Sequence, residues 1–459
     1  MTSTNGELAA QQHEELNGAT TSHAPPPTTS LPTHTTQDAN LYSPSTLSIH
    51  ADDPLNLLSD VAPPLHVSTT FRYTSDPTQL RPFRPSERPN APLFPYQETP
   101  SEHCYSRLTT HSTARLETIL TSLLHNPTIS YSSGLSALHA LLVHLCPKRV
   151  SIGDGYHGCH GVLALHTRMN GLQKLDLDCD PTELQKGDLI CLETPINPTG
   201  TALNIQHYAD KAHSRGAYLM VDATFAPPPL QDPFQQGADI VMHSGTKYIG
   251  GHSDMLCGVL AIRREFAEPN SEGGKEGWLS RLLEDREFLG CVMGGLEGWL
   301  GVRSLRTLEL RVTRQSQSAE KLVRVLNGAI SGSSGVVEHL KLEDMRAVRK
   351  VLRAVHHASL QTEDIRAGWL KKQMPGGFGP VFAVSLKEAR FARYLPSKLH
   401  LFHHATSLGG VESLIEWRTM SDATVAQDLL RVSIGVENAD DLLKDIVQGF
   451  KALIEEFKL

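Results

Sequence analysis

The 459-residue chain has no lysine or arginine before Arg72, no pair of cysteines in a CxxC spacing, and no excess of positive charge, its formal net charge being −8. It also has no apolar run long enough to cross a bilayer. Each absence excludes something. Acidic Glu7, Glu14 and Glu15 stand where a mitochondrial presequence needs arginine, so no such presequence is expected. No membrane partner is expected either. The seven scattered cysteines are odd in number and form no disulfide framework. Free thiols suit a reducing compartment, so the expected location is cytoplasmic. The negative charge argues against a nucleic-acid partner. Periodicity is also missing from residues 1–40, which are rich in Thr, Ser, Pro and His and read as disordered.

What is present reads as an α/β protein. The length calls for two or three folded units. Residues 41–100 are too short and too proline-rich for a domain, and read as an arm that packs on its own body or on a neighbouring subunit. Leu116, Ile119, Leu120, Leu123 and Leu124 mark one face of a helix, with Ser112 as its expected N-cap. The strand Thr128 to Tyr131 then runs into Ser132-Ser133-Gly134-Leu135-Ser136 and a helix. A strand, a glycine turn and a helix can aim backbone N–H groups at a phosphate, although many such turns only reverse the chain. Strands at Arg149 to Gly153, Leu189 to Glu193, Tyr218 to Asp222, Asp239 to Ser244 and Met255 to Ile262 alternate with helices. The alternation predicts a mostly parallel sheet covered on both faces over 101–310. A long helix is expected from Leu296 to Leu326, leading into a smaller α+β domain at 311–459. Its expected strands are Phe382 to Ser385 and Leu430 to Ile434, and an amphipathic helix closes the chain at Asp440 to Phe457.

Two strand ends carry the chemistry. One leads into Val221-Asp222-Ala223-Thr224, the other into His243-Ser244-Gly245-Thr246-Lys247-Tyr248. Ligands of open α/β sheets sit beyond the carboxyl ends of the strands, so Asp222 and Lys247 should face one crevice. A carboxylate and a lysine flanked by the hydroxyls of Ser244, Thr246 and Thr224 suit pyridoxal 5'-phosphate (PLP). The lysine forms a Schiff base, the aspartate keeps the pyridine nitrogen protonated and the hydroxyls hold phosphate. Taken singly, such a lysine would be solvated and such an aspartate a turn former. His157 and His160 have a metal-like spacing but no third ligand, so no metal is expected. Cys159 reads as an ordinary thiol, and His403 and His404 as residues of a domain cleft.

With these motifs in this order, the chain from about Ser48 onward resembles the Cys/Met-metabolism family of fold-type I PLP enzymes, in particular a fungal γ-synthase-like subgroup. The resemblance implies an aspartate-aminotransferase-like fold. It makes Lys247 the Schiff-base lysine and Asp222 the partner of the pyridine nitrogen. Ser244, Thr246 and the backbone of Gly134 and Leu135 become the phosphate cup, and Tyr156 the ring that stacks on the cofactor. Tyr105 and Arg107 would reach across a subunit interface to the neighbour's phosphate, which implies a homo-oligomer: a dimer with shared sites, assembled into a tetramer. Arg431, Ser407 and Asn197 would hold the α-carboxylate of a small amino-acid substrate, and Tyr105 or Tyr156 could relay protons.

The departures from the family pattern bear on the reaction. Leu108-Thr109-Thr110-His111 replaces the usual Gly-Asn-Pro-Thr, and Ala223 replaces an asparagine. Leu408 stands where β-lyases carry tryptophan, which favours chemistry at Cγ. Thr406 stands where cystathionine-handling γ-enzymes commonly carry glutamate, removing a charge-assisted contact of about 1.5–3 kcal/mol to a distal ammonium. Met420-Ser421-Asp422 replaces a common Met-Thr-His. The expected reaction is γ-replacement on an O-acyl-homoserine through a vinylglycine-type intermediate, with a thiol or carbon nucleophile adding at Cγ. The alternatives are a cystathionine β- or γ-lyase and a non-catalytic homologue.

Overall fold

The strands that carry the expected site are uninterrupted apolar runs, which burial on both faces of a sheet requires. In the computed structural model, which describes residues 42–56, 58–80, 103–269, 277–332 and 340–459, they form the middle of a seven-stranded sheet. Its strands are β1 (Thr128–Tyr131), β2 (Arg149–Ile152), β3 (Gln173–Asp176), β4 (Leu189–Glu193), β5 (Tyr218–Asp222), β6 (Ile240–Ser244) and β7 (Gly258–Ile262). They lie in the order β1-β7-β6-β5-β4-β2-β3. β3, β2, β4, β5 and β6 run parallel to one another, while β7 runs antiparallel to both β6 and β1. The register sets Glu193 of β4 beside Asp222 of β5, so two carboxylates end on neighbouring strands.

A second sheet follows: β8 (Leu352–His356), β9 (Val381–Leu386), β10 (His403–His404), β11 (Leu414–Trp417) and β12 (Leu429–Ser433), in the order β10-β11-β12-β9-β8. It is antiparallel apart from the β10–β11 pair. The helix Leu308–Ser331 ties the two units together. Its first part gives Leu308 and Val312 to the core of the first sheet, and its later part gives Ala319, Leu322, Val323 and Leu326 to the core of the second. The closing helix Ala439–Glu456 buries Leu442, Leu443, Ile446, Phe450 and Leu453 in that second core.

Several expectations are corrected. The long helix from Leu296 is two helices, Gly295–Leu305 and Leu308–Ser331. The break falls where the Ser304 carbonyl, which an unbroken helix would pair with residue 308, instead accepts from the Thr307 N–H at 3.2 Å and the Arg311 guanidinium at 3.0 Å. The first large helix, His111–Leu124, is capped by Thr110 and not by Ser112. Thr110 and Thr113 exchange side-chain and backbone hydrogen bonds, and this reciprocal box satisfies two donors where Ser112 alone would satisfy one. Part of the arm docks on the chain's own body. Asp52 pairs with Arg115 at 3.1 Å and Arg306 at 2.8 Å, and the Trp299 indole donates to the Pro63 carbonyl at 2.9 Å. Beyond it Val61, Val67 and Tyr73 stay exposed. Residues 1–41 and 81–102 lie outside the described residues.

Candidate active site

The carboxyl ends of β2, β4, β5 and β6 open onto a cavity of about 450 Å³, a size suited to a cofactor with a small substrate. Twelve of the expected site residues line it: Gly134, Leu135, Tyr156, Asn197, Asp222, Thr224, Ser244, Thr246, Lys247, Ser407, Leu408 and Arg431. Tyr105 and Arg107 do not. They line a different cavity with His66, Thr69 and Glu297, and Arg107 lies 3.7 Å from Glu287.

At one end of the main cavity, the helix Gly134–Leu145 starts at the tip of Ser244. Ser133 caps it by accepting from the Ser136 N–H at 3.1 Å. The first-turn N–H groups of a helix have no partner within the helix, so those of Gly134 and Leu135 are offered to an anion. A side chain at 134 would put its Cβ 3.1 Å from the Ser244 Cβ, so glycine is what lets the helix end approach the Ser244 hydroxyl. Thr224 joins the two loops: its hydroxyl donates to Asp222 Oδ1 at 2.5 Å and accepts from the Ser244 N–H at 2.8 Å. The phosphate and pyridine ends of PLP are thus both provided for by this chain, and the residues fit the cofactor.

Lys247 lies between these ends and the second sheet. Its Nζ donates to Ser407 Oγ at 2.7 Å. Burial, then the positive charge of Arg431, lowers its pKa from 10.5 to about 8, with Glu416 opposing. Ser407 has φ 78, a left-handed conformation that a serine holds only when its surroundings fix it. Here Arg431 Nη2 donates to the Ser407 carbonyl at 2.7 Å while Lys247 donates to its hydroxyl. Arg431 is further fixed by Asn197 Oδ1 at 3.2 Å and Glu416 at 2.6 Å. Asp222 is pushed above the usual carboxylate range by burial, which the two hydrogen bonds from Thr224 oppose.

A family model described as Cys/Met metabolism PLP-dependent enzyme matches residues 45–451. The chain belongs to that family. It is 31% identical over 441 residues to the cystathionine gamma-lyase of Saccharomyces cerevisiae, covering 91% of this chain and 99% of that one. The cystathionine beta-lyase of Lactococcus lactis subsp. cremoris is 31% identical over 377 residues, covering 77% and 89%. Among solved structures, metB from Corynebacterium glutamicum superposes with a TM-score of 0.74 at 28% identity, over 91% of this chain and 100% of that one. The chain is therefore a fold-type I, PLP-dependent enzyme of the trans-sulfuration family, a transferase or carbon–sulfur lyase.

The structure also assembles residues that the sequence did not single out. Glu193 accepts the N–H of Asn197 at 2.5 Å and that of Tyr156 at 2.7 Å, tying the loops after β2 and β4 to one carboxylate. Burial, then the charge of Asp222, raises its pKa. Glu416 pairs with Arg431 at 2.6 Å, and Arg418 shares the same carboxylate oxygen at 3.0 Å. Among the described residues no group of three His, Cys, Asp or Glu could hold a metal, and no helix is long and apolar enough to cross a membrane.

The lowered lysine pKa predicts how the apoenzyme takes up PLP. Only the neutral amine attacks an aldehyde, so the uptake rate should rise with pH and level off above about 8. Stopped-flow absorbance against pH measures this. A rise still continuing toward 10.5 would mean that the amine is not perturbed.

Proposed function

We propose that the enzyme performs γ-replacement on an O-acyl-homoserine, with a thiol or a carbon nucleophile adding at Cγ. The observation that carries this reading is the wall above Lys247. It is built by Thr406, Ser407 and Leu408, with an uncharged Thr406 and an aliphatic Leu408. The carboxylates that line the cavity are occupied elsewhere, Glu193 by two backbone N–H groups and Asp222 by Thr224. Neither is free to draw in a distal ammonium.

PLP, when bound, supplies the electron sink that makes a proton at Cα removable. Arg431 and Asn197 hold the substrate's α-carboxylate, the guanidinium offering a two-pronged contact. Lys247, steadied by Ser407 Oγ, moves protons at Cα and Cβ. A pKa of about 8 leaves it able both to accept and to return a proton near neutral pH. Asp222 fixes the charge of the pyridine end, and Ser244, Thr246 and the N–H groups of Gly134 and Leu135 fix the phosphate. Tyr156, half-exposed at the cavity, covers the ring and is a candidate proton relay.

A second reading is carbon–sulfur cleavage of cystathionine, which the activities named for the yeast and Lactococcus relatives favour. One experiment separates the two. Holoenzyme is incubated with O-acetylhomoserine and a panel of thiols and β-keto acids, and separately with cystathionine, and products are read by mass spectrometry. Adducts at Cγ are expected. Pyruvate or 2-oxobutyrate and ammonia from cystathionine, with no adduct from the ester, would overturn the proposal in favour of the lyase.

We also infer that the working unit is at least a dimer with shared sites. Tyr105 and Arg107 are exposed and lie outside their own chain's Lys247 cavity, with the Arg107 guanidinium 5.0 Å over the Tyr105 ring. The uncovered Val61, Val67 and Tyr73 of the arm suit a subunit contact. Arg107→Ala should weaken cofactor retention. Mixing it with Lys247→Ala protein under subunit exchange should restore up to about a quarter of the wild-type rate, because random mixed dimers carry one intact site. Exchange without recovery would contradict the shared site. A cytoplasmic location fits the seven unpaired cysteines.

A further inference from the structure

The arginine behind the active-site wall has more donor capacity than its partners use. Arg418 is 97% buried, since only 3% of its surface is exposed, and it lines the cavity beside Arg431. Its Nη1 donates to Glu416 Oε2 at 3.0 Å and to Ser421 Oγ at 2.9 Å. Its Nη2 lies 3.8 Å from Asp422 Oδ2, beyond hydrogen-bond reach, while Asp422 Oδ1 accepts from the N–H and hydroxyl of Thr424. Its Nε–H is a buried donor with no hydrogen-bond partner among the described residues. Such a donor costs about 1–3 kcal/mol unless something supplies the missing acceptor.

The charges around it point the same way. Arg418 and Arg431 share one carboxylate, since Arg431 Nη2 is 2.6 Å from the same Glu416 Oε2. When Arg431 turns to the substrate's α-carboxylate, Arg418 remains as the second cation at that end. The wall at Thr406 adds no further anion, so the carboxylates paired with the two guanidinium groups are Glu416, shared between them, and Asp422, 3.8 Å from Arg418. Two guanidinium groups that share one hydrogen-bonded carboxylate attract a further carboxylate and disfavour an ammonium group.

We propose that Arg418 is a specificity-determining residue that recruits an acceptor carrying a carboxylate and no ammonium: a mercapto acid or a keto acid. This rests on the γ-replacement reading and names the substrate class of its second half. With a mercapto acid, the Cγ–O bond of O-acetylhomoserine breaks and acetate leaves with the electron pair. The thiol sulfur forms the Cγ–S bond, and the thiol proton is released to solvent. The product is an amino acid with a distal carboxylate that Arg418 can hold.

Three acceptors of matched length test this with the holoenzyme: 3-mercaptopropionate, its neutral counterpart 3-mercapto-1-propanol, and L-cysteine, which adds an ammonium to the first. The expected order of kcat/KM is 3-mercaptopropionate first, by about tenfold or more over each of the others. Arg418→Met should abolish that preference mainly through the acceptor's KM, while Arg418→Gln, which keeps a neutral donor, should retain part of it. In parallel, calorimetry compares L-2-aminoadipate with L-norleucine, which differ by the distal carboxylate. Wild-type holoenzyme should bind the former about tenfold tighter or more, and Arg418→Met should not. Equal use of the three thiols by the wild type, or an equal loss for charged and neutral compounds in both variants, would overturn the proposal and leave Arg418 a structural ion-pair member. If Arg418-dependent binding persists but none of the three thiols yields an adduct, the γ-replacement reading falls while the carboxylate site stands. If adducts form without a charge preference, the carboxylate site falls while γ-replacement stands. The wild-type comparisons need no variant, so a misfolded substitution does not rescue the idea.

Discussion

Replacing Lys247 by alanine is expected to lower turnover of O-acetylhomoserine by about 10⁴-fold or more. In the proposed reaction this one side chain performs the proton transfers at two carbons, each worth about 10²–10⁴-fold. Its position follows from the fold. β6 ends at Ser244, the chain turns through Gly245 and Thr246, and Nζ meets Ser407 Oγ from the second unit at 2.7 Å. The loss should be catalytic and not structural. Among the described residues Lys247 makes one side-chain hydrogen bond, to Ser407 at the cavity wall, so the melting transition should stay close to that of the wild type. Added primary amines should restore part of the rate in proportion to their basicity. A variant within about tenfold of wild-type turnover would show that another base does the work.

The second large effect is expected at Arg431. Arg431→Leu removes the guanidinium proposed to meet the substrate's α-carboxylate and also strips Glu416 of one of its two cationic partners. Losing one partner of a buried, hydrogen-bonded charge pair costs about 3–5 kcal/mol of binding, so kcat/KM should fall by about 10²–10⁴-fold, mostly through KM for the amino-acid substrate. Arg431→Lys should recover little, because a point charge cannot offer the planar two-donor fork. The control is a substrate analogue without the α-carboxylate, for which wild type and variant should differ far less. A uniform loss for both compounds would place Arg431 outside substrate recognition.

The features legible in the sequence share a physical signature. β4, β5 and β6 are continuous apolar runs that end abruptly in polar residues, and the ends of β5 and β6 carry the aspartate and the lysine. The helix start proposed to hold phosphate is legible because a strand, two serines, Gly134 and a helix follow one another. Other elements left little trace. β3 is Gln-Lys-Leu-Asp on an exposed sheet edge, so no apolar run betrays it. β8 continues from the helix Leu342–Val351 with no glycine or proline between them. At the break between Leu305 and Leu308 the Ser304 carbonyl is taken by Arg311, whose guanidinium also donates to the distant Tyr248 carbonyl, a contact that local propensity does not encode.

The residues missed at the site were hidden for a similar reason. Glu193 acts on Tyr156 and Asn197 through their backbone N–H groups, a role that residue identity alone does not advertise. A strand register visible only in three dimensions sets it beside Asp222. Glu416 and Arg418 enter because β11 and β12 pair antiparallel, with Glu416 directly opposite Arg431. Sequence reading found the arginine from its family position, but not the buried carboxylate that orients it or the second guanidinium that shares it.

The most direct measurement is to reduce PLP-loaded protein with borohydride, digest it and map the pyridoxyl-labelled peptide by mass spectrometry. The geometry around the cavity predicts a single label, on Lys247, and none in the Lys247→Ala variant. A label on any other lysine of fully loaded protein, or no label at all, would contradict it.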